Sequence, residues 1–355
     1  FDYLGATCPS LLLEPSRTNL LEQSEYFGDS YWTKTNSIVS PNQTISPDGT
    51  LNANKYTLNA TSARSIISTG VLSVGTVYTT SVFVKYDSVK YFYISNAGAG
   101  AYRIVFDIEN GTIVSNGSSV TSSKIESYGN GWYRCSAVFT AAYTTLYFKL
   151  SPNLNSATFT NTTDFGYIWG AQVEASATYE TSYIPTYGVS QTRALDYCRG
   201  AGDVNTFNST EGVLYLEIEA LADDSTNRRI TISDGTNTNR IVTGYNANSN
   251  QIFYLIIVGG STIASGSYTT TDITDFHKVA IKYKVNDFAL WVDGVERHTD
   301  SSGAIFAADT LSKMQFTQGS GSGLNFYGKT KEVIVFPTAL SDLDLAILTG
   351  ATTYN

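Results

Sequence analysis

The stretch GVLYLEIEA (Gly212–Ala220) decides the reading of the chain. Leu214, Leu216 and Ile218 fall on one side of an extended backbone, and Tyr215, Glu217 and Glu219 fall on the other. That period of two predicts a β-strand with one face in a core. RRITISDGT, NRIVTGY, QIFYLIIVGG and HKVAIKYKVNDFALWVDGVE continue the pattern downstream. Asp293-Gly294 supplies a tight turn after the strand that carries Trp291.

The same grammar runs through the first half. VYTTSVFVKY (Val77–Tyr86), KYFYIS (Lys90–Ser95), YRIVFDIENG (Tyr102–Gly111), GWYRCSAVFT (Gly131–Thr140) and TTLYFKL (Thr144–Leu150) are rich in β-branched and aromatic residues. Breaks fall at Asn110-Gly111, Asn116-Gly117 and Asn130-Gly131, where positive φ is available. Between the halves, YIPTYGVSQTRALDYCRGAGDVNTFNSTEG (Tyr183–Gly212) has the Pro, Gly and polar content of a connector. The expected organisation is an N-terminal preamble over 1–17, a first β-sandwich over 18–188, a connector over 189–208 and a second sandwich over 209–355. Leu11–Leu13 are expected to form a strand buried on both faces and ended at Pro15.

Composition agrees with an all-β chain. Of 355 residues, 42% are hydrophobic and only 15% charged, with 29 Gly, 25 Tyr and 17 Phe. A net charge of −9 repels phosphate backbones and argues against nucleic acid as a partner. The longest apolar run, Ile252–Val258, is strand-sized, so membrane insertion is not expected. The opening LLLEPSRTNLLEQSEYFGDSYW (Leu11–Trp32) lacks a basic n-region and is broken by Glu14-Pro15, so it does not read as a signal peptide. Cys8, Cys135 and Cys198 are too few and too dispersed for a disulfide framework or a metal site. Buried free thiols are the simpler reading. The likeness of the segments before Cys8 and Cys198 leaves a bond between those two open.

One helix is predicted, in TALSDLDLAILTG. Ser341 caps it, Asp344 completes a capping box, Leu340 and Leu345 take the hydrophobic-staple positions, and Gly350 ends it.

These motifs carry a resemblance. KEVIVFPTALSDLDLAILTG (Lys331–Gly350) and FHKVAIKYKVNDFALWVDGVE (Phe276–Glu296) resemble the closing strand and the middle hairpin of laminin-G-like, concanavalin A-like modules, with Phe276 where Trp is common. In the first half Asn19-Leu20-Leu21, Phe27, Trp32, NGWYRCSAVFT and WGAQVE (Trp169–Glu174) resemble carbohydrate-binding jelly rolls. CPSLLLEPSRTNLL and TSYIPTYGVSQTRALDYC resemble segments of bacteriophage tail and appendage proteins. The resemblance implies two tandem β-sandwiches in a non-enzymatic virion adhesion module at the virion surface. Its partners would be host cell-surface polysaccharide and other virion proteins, and its state a homo-oligomer, with a trimer favoured to build avidity. A purely structural decoration or connector protein is one alternative, and a polysaccharide hydrolase or lyase another.

Candidate sites follow. Sugar binding needs an exposed aromatic platform beside planar polar groups, and Tyr91, Tyr93, Asn96, Tyr102 and Arg103 are the candidate set. Trp32 and Trp132 match core positions of the motif and are expected to be buried. No cofactor is required, although related sandwiches hold structural calcium. Glu14, Asp164 and Glu174 are candidate ligands in the first domain, and Asp203 or Asp234 in the second. Glu217 and Glu219 form a conceivable carboxylate pair, but Ala220, Leu221 and Ala222 break the glycanase pattern, so a solvated face is the expectation. His277 and His298 lack metal spacing, and no nucleophile motif is present. Sequons at Asn42, Asn59, Asn116, Asn161 and Asn208 match by composition alone.

Overall fold

The computed structural model describes residues 9–59, 65–95, 103–154 and 163–352. It divides into two compact units, Ser16–Ala194 and a second built from Phe1–Pro15 with Leu195–Asn355. The second unit is therefore discontinuous in sequence. Its first described strand, β1 (Leu11–Leu13), precedes the whole of the other unit.

The continuous unit holds β2 (Arg17–Asn19), β3 (Thr33–Thr35), β4 (Ser37–Thr44), β5 (Ala53–Leu58), β6 (Ser65–Thr69), β7 (Val77–Tyr86), β8 (Tyr91–Ser95), β9 (Arg103–Asp107), β10 (Thr112–Asn116), β11 (Val120–Ser127), β12 (Trp132–Thr140), β13 (Leu146–Ser151), β14 (Phe165–Ala175) and β15 (Gln191–Arg193). One six-stranded sheet runs β10-β9-β8-β13-β6-β3, and the other runs β11-β12-β7-β14-β5-β4. Phe92, Ile94, Phe106 and Phe148 face Tyr56, Val82, Val84 and Ile168 across the core. Phe27 and Trp32 stack at 4.9 Å and close one end against Phe148.

The discontinuous unit adds β16 (Arg199–Ala201), β17 (Glu211–Ala220), β18 (Arg228–Ser233), β19 (Arg240–Tyr245), β20 (Gln251–Val258), β21 (Ser261–Thr269), β22 (His277–Lys284), β23 (Asp287–Val292), β24 (Val295–Asp300), β25 (Lys313–Gln315), β26 (Gly328–Phe336) and α1 (Asp342–Leu348). Its sheets run β1-β26-β17-β22-β23-β24 and β16-β25-β18-β19-β20-β21. Leu214, Leu216 and Ile218 meet Ile230, Ile232, Ile241 and Ile256 between them, as the alternation requires. The two six-stranded sheets of each unit make a sandwich, with β2 and β15 paired separately in the continuous unit, so the fold is a pair of all-β sandwiches.

Three sequence expectations change. The preamble strand β1 pairs antiparallel with β26, Leu11 opposite Thr330. It is an edge strand with one face toward the core, so only Leu13 is buried, and Leu11 and Leu12 are half-buried. Tyr215 lies on the outer face beside Glu217 but is fully buried, because α1 covers it with Leu345 and Ala346 over Trp291 and Ala280. Asn116-Gly117 makes no positive-φ turn, whereas Asn130 with Gly131 and Asp293 with Gly294 do.

The helix follows its sequence signals. Ser341 accepts from the Asp344 amide, and its hydroxyl reaches the Asp344 carboxylate at 2.6 Å. At the other end the amides of Gly350 and Ala351 reach the carbonyls of Ile347 and Ala346, a Schellman arrangement with Gly350 at φ +113°. Among the described residues Cys135 and Cys198 are free thiols. Cys8 lies outside the described residues.

Candidate functional site

In the jelly-roll unit, the outer face of the β7-β12-β14 sheet is built around an irregularity. The register of β14 against β7 shifts between Trp169 and Gln172, and Gly170 takes φ +61°. This bulge swaps the facing of the strand, so Trp169, Gln172 and Glu174 all lie outward while Ala171 and Val173 enter the core. Its freed backbone groups are met by the opening NLL segment. Asn19 Nδ2 donates to the carbonyls of Ala171 (3.1 Å) and Ile184 (2.9 Å), and Asn19 Oδ1 accepts from the amides of Val173 (3.1 Å) and Leu21 (3.2 Å).

The outward polar groups then pin residues 177–187 across the sheet. Glu174 accepts from the Thr181 amide at 3.1 Å and from its hydroxyl. Gln172 accepts from the Ile184 amide at 2.7 Å, and Arg134 donates to the Thr181 carbonyl at 2.6 Å. Tyr183 packs on Trp169 at 4.7 Å, and Phe83 lies between Trp169 and Tyr128. The Tyr183 and Tyr187 hydroxyls both donate to Glu25 Oε1 at 3.1 Å. Burial raises the Glu25 carboxyl above its ordinary value against these hydrogen bonds. The TSYIPT motif is thus a strap with a structural role.

Beyond the strap an open cleft of about 430 Å³ remains, lined by Thr44–Pro47, Gly49, Lys85, Tyr128, Gly129, Asn130 and Trp132. Trp132 is buried, as expected, but outside the inter-sheet core, with its Nε1 donating to the Ile45 carbonyl at 3.0 Å. Asn130 and Gly131, both at positive φ, turn the chain so that Tyr128 and Asn130 stand at the rim. An aromatic ring, an ammonium, an amide and hydroxyls around an open cleft suit a polyhydroxylated ligand. Sequence reasoning missed this cleft, although NGWYR marks its floor.

The residues read from sequence distribute differently. Phe92 points into the core, so Tyr91 and Tyr93 share the outer face of the opposite sheet with Arg103. Tyr93 is no platform, because it is fully buried, donates to the Leu154 carbonyl at 2.9 Å and is capped by the Arg103 guanidinium at 5.2 Å. Tyr91 is half-buried, near Lys90, which pairs with Asp107 and Glu109. Asn96 and Tyr102 lie outside the described residues.

The calcium candidates do not converge. Asp164 and Glu174 flank opposite ends of β14, roughly 30 Å apart at about 3.3 Å per residue. Glu14 belongs to the other unit. Asp203 and Asp234 close their own turns, accepting from the amides of Asn205 (2.9 Å) and Thr236 (2.7 Å). Among the described residues no three His, Cys, Asp or Glu side chains gather as a metal cage needs.

Glu217 and Glu219 are each in an ion pair, with Lys331 at 3.2 Å and Lys329 at 3.0 Å. His298 meets the Tyr254 hydroxyl at 3.0 Å. His277 is held between Asp293 Oδ2 (2.6 Å) and the Asp272 carbonyl (2.8 Å), which fixes the Asp293-Gly294 turn. Burial depresses His277, but these two acceptors outweigh it and raise its pKa.

No family model matches the chain, and no curated protein matches its sequence. Solved structures of similar architecture include the CBM40 of a Ruminococcus gnavus sialidase bound to α2,3-sialyllactose, at 16% identity and a TM-score of 0.35, covering 43% of this chain and 94% of that one. The LG4-5 domains of the mouse laminin α1 chain match at 10% identity and a TM-score of 0.29, covering 96% of this chain and 95% of that one. The CBM22 tandem of Paenibacillus barcinonensis Xyn10C matches at 12% and 0.27, covering 95% of this chain and 100% of that one. Likeness at this level says nothing of what this chain binds. Its own strand pairing defines it as a tandem β-sandwich protein.

Proposed function

We propose that this chain is a non-enzymatic glycan-binding adhesion module of a bacteriophage tail or other virion appendage, presented to the host cell surface. The observation that carries glycan binding is the open cleft with Tyr128, Lys85 and Asn130 at its rim and Trp132 as its floor. One finding supports binding over turnover: the Glu217 and Glu219 carboxylates are each paired with a lysine. The appendage reading comes from the resemblance of the opening and exit segments. A single shallow site binds sugar weakly, so the reading includes several copies, a trimer first.

The test is affinity electrophoresis of the full chain against polysaccharide from candidate host cells, comparing wild type with Tyr128→Ala and Lys85→Ala. Each substitution is expected to weaken binding about tenfold, the equivalent of about 1.4 kcal/mol. Unaltered binding by both variants refutes the cleft. A wild-type chain that binds no host polysaccharide refutes the glycan reading and favours the structural alternative. Release of reducing ends or unsaturated products would establish turnover instead.

A further inference from the structure

The outer face of the β18-β19-β20 sheet leaves basic groups without acids. Ile230, Ile232 and Ile241 point into the core, so Arg229 on β18 and Arg240 on β19 point outward. Residues 317–324, TQGSGSGL, fold down beside them. The Ser233 hydroxyl donates to the Gly319 carbonyl at 3.0 Å, and the Arg229 amide donates to the Leu324 carbonyl at 3.0 Å. Arg199 Nη1 reaches the Gly321 carbonyl at 3.0 Å from the other side.

Among the described residues neither Arg229 nor Arg240 has a carboxylate partner. The Arg240 guanidinium donates to the Asn237 side chain. That of Arg229 makes no hydrogen bond there and lies 5.9 Å from the centre of the Phe253 ring. Both side chains are only partly exposed. Burial pulls both guanidinium groups below the ordinary arginine value, and for Arg240 the Arg229 charge adds to the effect. The chain has acids to spare at net −9 and uses them elsewhere. Arg228, the neighbour of Arg229 on the inward face, is paired with Asp224 at 2.7 Å, and Lys282, Lys329 and Lys331 are all paired. Two half-buried guanidinium groups on neighbouring strands, uncompensated by acids, cost stability in the absence of an anion, and their planar forks suit an oxyanion.

We propose that Arg229 and Arg240 bind the carboxylate or sulfate groups of an acidic polysaccharide laid across this sheet face. The proposal rests on the glycan-binding reading above and specifies the class of glycan. Two partly exposed guanidinium groups without acids, in an otherwise acidic chain, fit the separate carboxylate or sulfate groups of a sugar chain. Duplex DNA, with a charge about every 1.7 Å, would be repelled by the remainder of the chain.

The experiment is affinity electrophoresis of the full chain in gels containing alginate, dextran sulfate or neutral dextran, with a DNA duplex as a further arm. Wild type is compared with Arg229→Ala/Arg240→Ala and with Arg229→Lys/Arg240→Lys, each checked for folding by circular dichroism. Alginate, dextran sulfate or both should retard wild type, and the two arms separate carboxylate from sulfate recognition. The double alanine variant should lose at least about tenfold in affinity, and the lysine variant should fall between, keeping charge without the fork. If the alanine variant fails to fold, the lysine variant decides, and wild-type affinity in it overturns the proposal. Equal retardation of wild type and the alanine variant overturns it, as does tighter binding to DNA. Binding of neutral but not acidic glycans overturns this proposal alone, whereas binding of neither, with no host polysaccharide bound, overturns the glycan reading as well.

Discussion

Replacing Asn19 by Ala removes one side chain and strands four backbone groups. Asn19 is fully buried, and its amide serves the carbonyls of Ala171 and Ile184 and the amides of Leu21 and Val173. Two of the groups, on Ala171 and Val173, belong to the bulged β14, the other two lie in the strap and the opening segment, and alanine offers none of them a partner. At about 1 kcal/mol net for each lost bond, the jelly-roll unit should lose about 4 kcal/mol. For a unit of this size that corresponds to a melting point lower by roughly 8–16 °C. Asn19→Asp should cost at least as much, because it sets a carboxylate oxygen against two carbonyls. Urea unfolding followed by tryptophan fluorescence is a suitable assay, since Trp32, Trp132 and Trp169 belong to this unit and Trp291 to the other. A loss below about 1 kcal/mol would refute the view that this side chain satisfies the bulge.

Three further outcomes are expected. Because the folded-state pKa of His277 is raised, the stability it contributes is complete below the ordinary histidine value near 6.5 and is lost as pH rises through the raised value. His277→Gln should flatten that part of the stability-against-pH curve of its unit, and an unchanged slope would show that the imidazolium is not held by Asp293. Gly170→Ala places a Cβ 2.9 Å from Phe83 at φ +61° and should destabilise the jelly roll by about 1–3 kcal/mol, measured by thermal melting. Glu217→Gln should change stability by less than about 1 kcal/mol and leave glycan binding at its wild-type level, because a surface ion pair contributes little. Loss of binding in that variant would reopen Glu217 as a functional group.

Sequence alone determined many of the strands, the facing of β17 and the helix, because these depend on neighbours within a few residues. Alternation set Leu214, Leu216 and Ile218 inward, Asn130-Gly131 and Asp293-Gly294 set turns, and Ser341, Asp344 and Gly350 bounded α1. The family motifs were legible too, including NLL and WGAQVE. That Asn19 of the first satisfies the bulge in the second was not, since some 150 residues separate them. Other decisions belonged to tertiary structure. It placed Leu11–Leu13 on the edge of a sheet, against a strand more than 300 residues later. It covered Tyr93 with the Leu154 backbone and Arg103, removing the expected platform, and left the Tyr128 cleft open. Exposure and charge pairing arise from what packs over a face and which acid comes within reach of which base. Periodicity shows that a residue points outward, and only the folded chain shows whether water, a strap or an ion pair waits there.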